Sequence, residues 1–405
     1  MQKKNLLPPN LRKSSTKKAF RENIFINKLI LPSIRMYKKI VTEILKNANI
    51  KIGEDIIIND ESFYKELVLR GSLGLGETYM SGKWDSQNLD TLVTKFLESK
   101  LDTYKVFGAG INLATFLKSK FDNLQDVKHA PDLYDTHYNS GNYLFESFLD
   151  PNMIYTCAYF KNTDDLAQAQ LNKIRIVGEK LDLKPGDKVL DIGCGWGGTA
   201  KILSDMFDVH VTGVADTPNQ IAYAKEHNLS DKVDFILTDY RDVEGKYDKI
   251  YNVGFLEAVG PKNLRNFMEQ VDMLLKDEGI FLTHTIGGKK SVRSTEPWID
   301  RYIFPHGVIP SMKQIDKATS GIFEKRDFES FGKYYVKTLT NWNSRFNANW
   351  DKIKDEYKNP EVFKRMMNYY FLTCAASFKT GKNDLWHFVY TKPGRVKDYE
   401  IYRLP

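Results

Sequence analysis

Cysteine is scarce in this chain, with three residues in 405. Cys157, Cys194 and Cys374 have no C-x-x-C spacing, so the sequence predicts neither a zinc site nor a disulfide framework. Long apolar runs are also missing, because charges interrupt each one before the roughly 20 residues that a spanning helix needs. No apolar segment with a small-residue cleavage site follows the first basic residues, so we expect no secretory signal. These absences favour a protein of the reducing cytoplasm.

Acidic residues are nearly absent from the first fifty positions. Residues 1–50 hold 12 Lys+Arg and 2 Asp+Glu, out of 59 and 52 in the whole chain. Apolar residues are interleaved with the basic ones, so this segment either binds an anionic lipid surface or is a solvated tail. At such a surface each basic side chain contributes about 1 kcal/mol. No nucleic-acid-binding motif accompanies the charge, so we expect no nucleic acid partner.

The pattern before residue 130 predicts a smaller, mostly helical domain. It includes an extended run, KIGEDIIIND, and a glycine-rich stretch, RGSLGLGETYMSGKWD, which we interpret as a turn. Helix-like spacing of apolar residues occurs at 31–48, 61–70, 86–99 and 103–121.

From about residue 165 the pattern predicts a different architecture, in which strands alternate with helices. Predicted strands lie at 188–193, 209–215, 234–239, 249–255 and 279–286. This alternation predicts an α/β domain with a mostly parallel sheet and helices on both faces. We place the seam at 122–131, which gives a helical domain of residues 1–125 and an α/β domain of residues 126–405.

A glycine-rich loop follows the first of these strands, in the stretch VLDIGCGWGG (189–198). Its G-x-G-x-x-G spacing formally fits a dinucleotide site, with Asp216 as a ribose ligand. However, the loop contains no Lys or Arg to meet a pyrophosphate. Asp191, two residues before Gly193, gives instead the arrangement of S-adenosylmethionine-dependent methyltransferases of the class I, Rossmann-like fold. Methyl-donor binding is therefore the favoured interpretation, ahead of a dinucleotide site or a structural turn.

Six further stretches together resemble the cyclopropane-fatty-acyl-phospholipid synthase family, which includes the mycolic acid cyclopropane synthases. The resemblance covers most of the chain, from about residue 35 to 395. The matching stretches are GSLGLGETYM (71–80), HYNSGNYLFESFLDPNMIYTCAYF (137–160), GFLEAVGPKN (254–263), LTHTIGGKK (282–290), PWIDRYIFPHGVIPS (297–311) and FGKYYVKTL (331–339).

This resemblance implies a reaction between S-adenosylmethionine and a cis-unsaturated acyl chain of an intact phospholipid. The alkene attacks the sulfonium methyl, and loss of one proton from the new methyl group closes a cyclopropane ring. Such a site excludes water and stabilises positive charge, to which an aromatic face contributes roughly 0.5 to 2 kcal/mol. Aromatic candidates, each also explained as core, are Tyr159, Phe160, Trp298, Tyr302, Phe304 and Tyr335.

The resemblance also implies the site residues. A bicarbonate ion acts as the base in this family, held by positions that match Cys157, Glu257, His284, Ile286 and Tyr335, of which Cys157 and Ile286 contribute through backbone groups. Cys374 matches a cysteine singled out as catalytic, although a buried structural thiol is the favoured alternative because the substrate itself attacks the donor. Implied donor contacts are Tyr155, Thr156, Asp191, Gly193, Gly195, Asp216, Thr217, Gln220, Asp239 and Tyr240.

The sequence departs from the family pattern after the fourth predicted strand. The family usually has Phe-Glu-His there, whereas this chain has Leu256, Glu257 and Ala258. The missing histidine removes one expected contact near the donor, and Ala215 stands where a threonine is common. Two alternatives therefore stay open: a methyltransferase of the same fold that acts on another acceptor without ring closure, and a binding protein without catalysis. The resemblance further implies a homodimer bound peripherally to the inner face of the cell membrane.

Overall fold

A computed structural model describes residues 33–101, 141–396 and 398–404. The predicted helix 103–121, the predicted seam 122–131 and the first 32 residues of the basic segment lie outside these ranges. No helix in the described ranges is long and apolar enough to cross a membrane.

Residues 33–101 form three helices and a short antiparallel ribbon. Their bounds are α1 (Ile34–Asn47), β1 (Ile57–Ile58), α2 (Ser62–Met80), β2 (Trp84–Asp85) and α3 (Leu89–Glu98). Val41 and Leu45 of α1 are buried, as are Phe63 and Leu67 of α2, so each helix turns an apolar face inward.

The predicted glycine-rich turn is wrong. Most of the stretch is helical: α2 has a kink at Gly71, with φ 55° and ψ −132°, and then runs to Met80, so the chain turns only at 81–83. Two later glycines serve close packing instead of a turn: a Cβ at Gly74 would lie 2.2 Å from the carbonyl oxygen of Glu66, and one at Gly76 would lie 2.3 Å from the Trp298 ring.

A seven-stranded sheet forms the centre of the later residues. Its strands are β3 (Lys188–Ile192), β4 (His210–Ala215), β5 (Val233–Leu237), β6 (Tyr247–Val253), β7 (Leu275–Gly288), β8 (Glu324–Ser330) and β9 (Asn383–Thr391). The order is β5-β4-β3-β6-β7-β9-β8. Strands β3 to β7 are parallel, and β9 runs antiparallel between β7 and β8. The five predicted strands and the parallel α/β class are confirmed, whereas β8 and β9 were not predicted.

Helices cover both faces of this sheet, as predicted. They are α4 (Asn142–Glu146), α5 (Leu166–Lys180), α6 (Gly198–Phe207), α7 (Pro218–His227), α8 (Leu256–Val259), α9 (Leu264–Leu274), α10 (Pro297–Tyr302), α11 (Met312–Thr319), α12 (Lys333–Ile353) and α13 (Pro360–Lys379). Apolar residues of α5, α6 and α7 pack in one core cluster with the strands, and those of α9 and α11 pack in another.

A third core cluster joins the amino-terminal helices to α12 and α13. Arg365 of α13 connects these elements further, because its guanidinium donates to the carbonyl oxygens of Tyr79 at 2.6 Å and Trp84 at 2.9 Å. The same group lies 4.0 Å from the centre of the Tyr79 ring. Helices α2 and α3 are thereby fixed beside the carboxyl ends of the parallel strands.

Candidate functional site

A cavity of about 1100 Å³ lies where the parallel strands end and α2, α3 and α13 approach them. Ligands of open α/β sheets bind at this edge. One part of its wall is the loop after β3, and another consists of apolar side chains from the amino-terminal helices. These side chains are Leu67, Leu75, Val93, Phe96, Leu97 and Leu101.

The loop after β3 has a backbone that side chains would obstruct. Gly193 has φ 84°, Gly195 φ 56° and Gly197 φ 86°, values that L-residues rarely adopt. A Cβ at Gly193 would lie 2.5 Å from the Phe255 ring. The glycines therefore leave room for a ligand to approach the backbone closely, which fits the adenosylmethionine site that the motif predicts.

Asp191 is the residue before the last in β3 and lines the cavity beside this loop. It is 2% exposed, and burial raises the pKa of its carboxyl to about 7. The Tyr251 hydroxyl and the Lys173 ammonium act in the opposite direction. Lys173 is itself fully buried, and burial lowers its pKa to about 8.

Most of the predicted donor contacts meet at this cavity. Asp216, Thr217 and Gln220 follow β4 and line it, together with Tyr155 and Thr156. The Tyr155 hydroxyl donates to the Tyr370 hydroxyl at 2.8 Å, and Thr156 Oγ1 accepts from Lys173 Nζ at 3.1 Å.

Asp239 and Tyr240 are not brought to the cavity wall. Asp239 accepts two hydrogen bonds from the Arg241 guanidinium, at 2.7 and 2.5 Å. Tyr240 packs edge-on against Phe255, with ring centres 5.5 Å apart. Because Phe255 lines the cavity, Tyr240 lies one layer behind it.

Glu257 and Ile286 form the polar centre of the predicted base cluster. Glu257 Oε1 accepts from the backbone N–H of Ile286 at 2.6 Å. Its other oxygen, Oε2, is buried and has no hydrogen-bond partner among the described residues. Burial raises the pKa of this carboxyl to about 7, against the opposing hydrogen bond from Ile286. Tyr335 of α12 lines the same cavity, and burial together with the charges of Cys157, Tyr155 and Glu257 raises its pKa.

Cys157 and His284 lie behind the cavity wall. Cys157 is fully buried with its thiol 4.0 Å from Thr338 Oγ1, and burial raises its pKa. His284 is 1% exposed, and burial lowers its pKa, so the ring is neutral at physiological pH. Its Nδ1 lies 2.8 Å from Nε2 of His387. The contribution of these two residues to a base cluster stays a prediction.

Cys374 does reach the cavity, from α13. Burial raises the pKa of its thiol to about 12, so the group is uncharged at physiological pH. Since the thiolate is the nucleophilic form of cysteine, this environment favours the interpretation of Cys374 as a packing residue.

The aromatic wall differs from the one predicted. Of the six candidates, Phe304 and Tyr335 line the cavity, whereas Trp298 packs against α2 and Tyr302 donates to Glu77 at 3.0 Å. Sequence analysis missed six aromatic side chains of the wall: Phe96, Trp196, Phe255, Tyr369, Tyr370 and Phe378. Three of them belong to α13, which carries the sequence NYYFLTC around Cys374, and the spacing of a helix that is apolar on several sides does not identify the face toward a ligand.

Comparison with known proteins identifies relatives over most of the chain. The sequence model of the family described as mycolic acid cyclopropane synthetase matches residues 125–388. Cyclopropane-fatty-acyl-phospholipid synthase of Escherichia coli (strain K12) is 41% identical over 380 residues, covering 91% of this chain and 96% of that protein.

Two solved structures are similar to about two thirds of this chain. The cyclopropane synthase MmaA2 from Mycobacterium tuberculosis has a TM-score of 0.60 and 28% identity, covering 67% of this chain and 100% of that one. Mycolic acid cyclopropane synthase CmaA1, complexed with SAH and CTAB, has a TM-score of 0.59 and 30% identity, covering 64% of this chain and 98% of that one.

Proposed function

Because this chain belongs to the mycolic acid cyclopropane synthetase family, we propose that it transfers a methylene group from S-adenosylmethionine to the cis double bond of unsaturated phospholipid acyl chains, forming cyclopropane fatty acids. The observation that carries this proposal is a single cavity that joins a glycine loop for the methyl donor to an apolar wall for an acyl chain.

The residues of the cavity suit an attack by an alkene on a sulfonium methyl. The apolar side chains of α2 and α3 exclude water from the acyl chain, and the rings of Tyr335, Tyr370 and Phe304 supply π-faces where positive charge develops on its carbons. Asp191 and the loop after β3 hold the methyl donor at the carboxyl ends of the strands. In this arrangement the protein contributes position and electrostatics, while the substrate supplies the nucleophile.

Ring closure requires a proton acceptor beside the methyl group that is transferred. We infer that a bicarbonate ion fills this role, held by Glu257, Tyr335 and His284. The partnerless Glu257 Oε2 supports this proposal, because a buried acceptor without a donor fits the hydroxyl of such an ion. The Tyr335 hydroxyl and a histidine N–H are donors suited to its negative oxygens. Bound there, the ion supplies a base at a site that excludes water.

We further propose that the enzyme acts as a homodimer at the inner, anionic face of the membrane. Two features support contact with phospholipid phosphate. Residues 1–50 are strongly basic, and the exposed Lys289 and Lys290 line the cavity directly after β7. Each lysine near an anionic surface contributes about 1 kcal/mol.

The decisive experiment incubates the chain with methyl-labelled S-adenosylmethionine and vesicles of unsaturated phospholipid. We expect acyl chains that gain one CH₂ and lose their alkene, with cyclopropane proton signals in the NMR spectrum of the extracted lipid. The NMR step is essential, because a methyl-branched alkene has the same mass as the cyclopropane. A labelled chain that is still cleaved by ozone would establish the alternative methyltransferase without ring closure. An untouched alkene with intact donor would overturn the proposed function and leave a different acceptor or a binding function.

A further inference from the structure

Two buried histidines face each other across neighbouring strands of the sheet. His284 of β7 and His387 of β9 are directly opposite in the antiparallel register. His284 Nδ1 lies 2.8 Å from His387 Nε2, which is hydrogen-bonding distance. The two rings are 1% and 0% exposed. Phe331 packs edge-on against both of them. Their mutual position is therefore fixed by the sheet and by packing.

The two facing nitrogens share one proton. Burial and the nearby Lys173 ammonium lower the pKa of both rings, so both are neutral at physiological pH. A neutral imidazole carries one N–H and one bare nitrogen. If His387 donates from Nε2, His284 keeps its own proton on Nε2. If His284 donates from Nδ1, its Nε2 is bare and His387 carries its proton on Nδ1.

The two arrangements differ in which ring keeps a buried N–H that no described residue accepts. Neither His284 Nε2 nor His387 Nδ1 has a hydrogen-bond partner among the described residues. The second arrangement would leave an N–H of His387 buried without an acceptor, which folded proteins avoid. The first leaves the His284 Nε2–H in the same condition, because Nε2 is buried as well. The anion proposed above, beside Glu257 and Ile286, distinguishes the two, since it can accept from the His284 Nε2–H. Residues two apart in a strand share a face of the sheet, so His284 lies in the same row as Ile286, which lines the cavity.

We propose that His387 is a positioning residue, which donates from Nε2 to His284 Nδ1 and so leaves His284 with its proton on Nε2, as a hydrogen-bond donor for an anion bound beside Ile286. The inference rests on the proposed function, because that function gives His284 an anion to bind. An anion requires a donor at this point, and a bare Nε2 would repel it.

The tautomer can be measured without any substrate. The chain has seven histidines, few enough to resolve both ring nitrogens of each in a ¹⁵N-histidine-labelled sample. His284→Gln and His387→Gln variants assign the signals. We expect protonated Nε2 and bare Nδ1 in both His284 and His387. Protonation of His284 at Nδ1 in the unmodified chain would overturn the proposal.

Two substitutions of His387 test the consequence for turnover. The His387→Gln amide can still donate to His284 Nδ1, whereas His387→Leu has similar bulk and no donor. We expect His387→Leu to lower kcat about 10- to 100-fold, with unchanged KM for the methyl donor, and His387→Gln to restore most of this loss. Equal turnover in the two variants would contradict a role through the hydrogen bond.

Failure of this inference is distinguishable from failure of the proposed function. If His284 has the expected tautomer but no cyclopropane forms, the proposed function fails and the arrangement of the two histidines stands. If cyclopropane forms while His284 is protonated at Nδ1, the inference about His387 fails alone. Should His387→Leu not fold, the tautomer in the unmodified chain and in His387→Gln still decides.

Discussion

Glu257 is one of two carboxyl groups in the cavity wall whose pKa lies near neutral, and Asp191, beside the glycine loop, is the other. Burial raises the pKa of the Glu257 carboxyl to about 7 from 4.5. Glu257 can accept a hydrogen bond from the anion's hydroxyl at both oxygens only when it is deprotonated. We therefore expect turnover to rise with pH as Glu257 loses its proton, and to level off above about 7. Glu257→Gln should lower kcat by about 10²-fold or more and remove this rising limb. Pre-steady-state rates of ring formation between pH 5.5 and 8.5 measure both effects.

The same pKa shift has a defined sign for stability. The folded chain binds more protons than the unfolded chain between pH 4.5 and about 7, so this carboxyl makes folding less favourable as pH rises through that interval. Glu257→Gln removes the penalty and should flatten this part of the pH dependence of the unfolding free energy. If the unfolding free energy of the Gln variant still falls between pH 4.5 and about 7, the titration belongs to another group.

Gly193 offers a second test at the scale of one residue. A Cβ at this position would lie 2.5 Å from the Phe255 ring, and alanine would also have to adopt a φ of 84°. We expect Gly193→Ala to weaken S-adenosylmethionine binding at least about tenfold, measured by calorimetry, because the loop can no longer approach the ligand. Gly186→Ala is the matched control, since Gly186 has φ 86° and no atom within 4 Å of the added Cβ. Both variants lose about 1–2 kcal/mol to the left-handed backbone conformation, so equal donor affinity in the two would contradict a cradle at Gly193.

At the scale of elements, the contact between α2 and α10 depends on the absence of a side chain. A Cβ at Gly76 would lie 2.3 Å from the Trp298 ring, which is 1% exposed and cannot move outward freely. We expect Gly76→Ala to destabilise the fold by about 1–3 kcal/mol, although alanine is the better helix former. Gly307→Ala is the control, because its nearest neighbours lie at 3.4 Å. A higher thermal midpoint for Gly76→Ala than for the unmodified chain would show that propensity outweighs packing here.

The elements that could be predicted are those that a local pattern of apolar residues and glycines identifies. Strand β3 has three buried apolar residues, Val189, Leu190 and Ile192, and the glycine loop follows it. Gly193 and Gly195 have positive φ, so the loop requires glycine and the requirement is visible in the sequence. Strand β8, EKRDFES, is mostly charged and has one fully buried residue, Asp327, which pairs with Lys180 and Arg403. Its position was decided by these long-range partners, which no local pattern contains.

The residues of the site also fall into those that the local sequence predicts and those that depend on tertiary packing. Backbone-determined contacts such as the loop after β3 follow from the sequence, whereas the wall formed by Tyr369 and Tyr370 depends on how α13 packs against α2 and α3. The histidine pair belongs to the second kind, because residues 284 and 387 meet only through the antiparallel register of β7 and β9.

At the scale of the whole molecule, the amino-terminal region combines two roles. Helices α2 and α3 complete the wall of the cavity, so they belong to the substrate site. Helix α1 is part of the core, because Val41 and Leu45 are 0% and 1% exposed. The segment before α1 carries most of the basic charge of residues 1–50: residues 1–32 hold eight of its 12 Lys+Arg and one Glu. The charge and the cavity can therefore be separated by cutting the chain before α1.

Removal of residues 1–32 is thus the sharpest test of membrane attraction. We expect the shortened chain to bind vesicles of anionic phospholipid more weakly in a sedimentation assay. Its thermal midpoint should stay unchanged, because all the buried residues that the structure describes are retained. The difference between the two chains should shrink as salt rises, since the Debye length falls from about 10 Å at 0.1 M to about 3 Å at 1 M.

A monomeric substrate distinguishes a role of residues 1–32 in membrane binding from a role in substrate binding or turnover. With a short-chain unsaturated phospholipid below its micellar concentration there is no surface to bind, so both chains should have equal turnover. A loss on this monomeric substrate would place residues 1–32 in the substrate site. Equal binding of both chains to anionic vesicles at low salt would show that residues 1–32 do not contribute. Of the two proposed contacts with phosphate, Lys289 and Lys290 at the cavity would then remain. In that case the double substitution Lys289→Ala, Lys290→Ala would have to abolish vesicle binding.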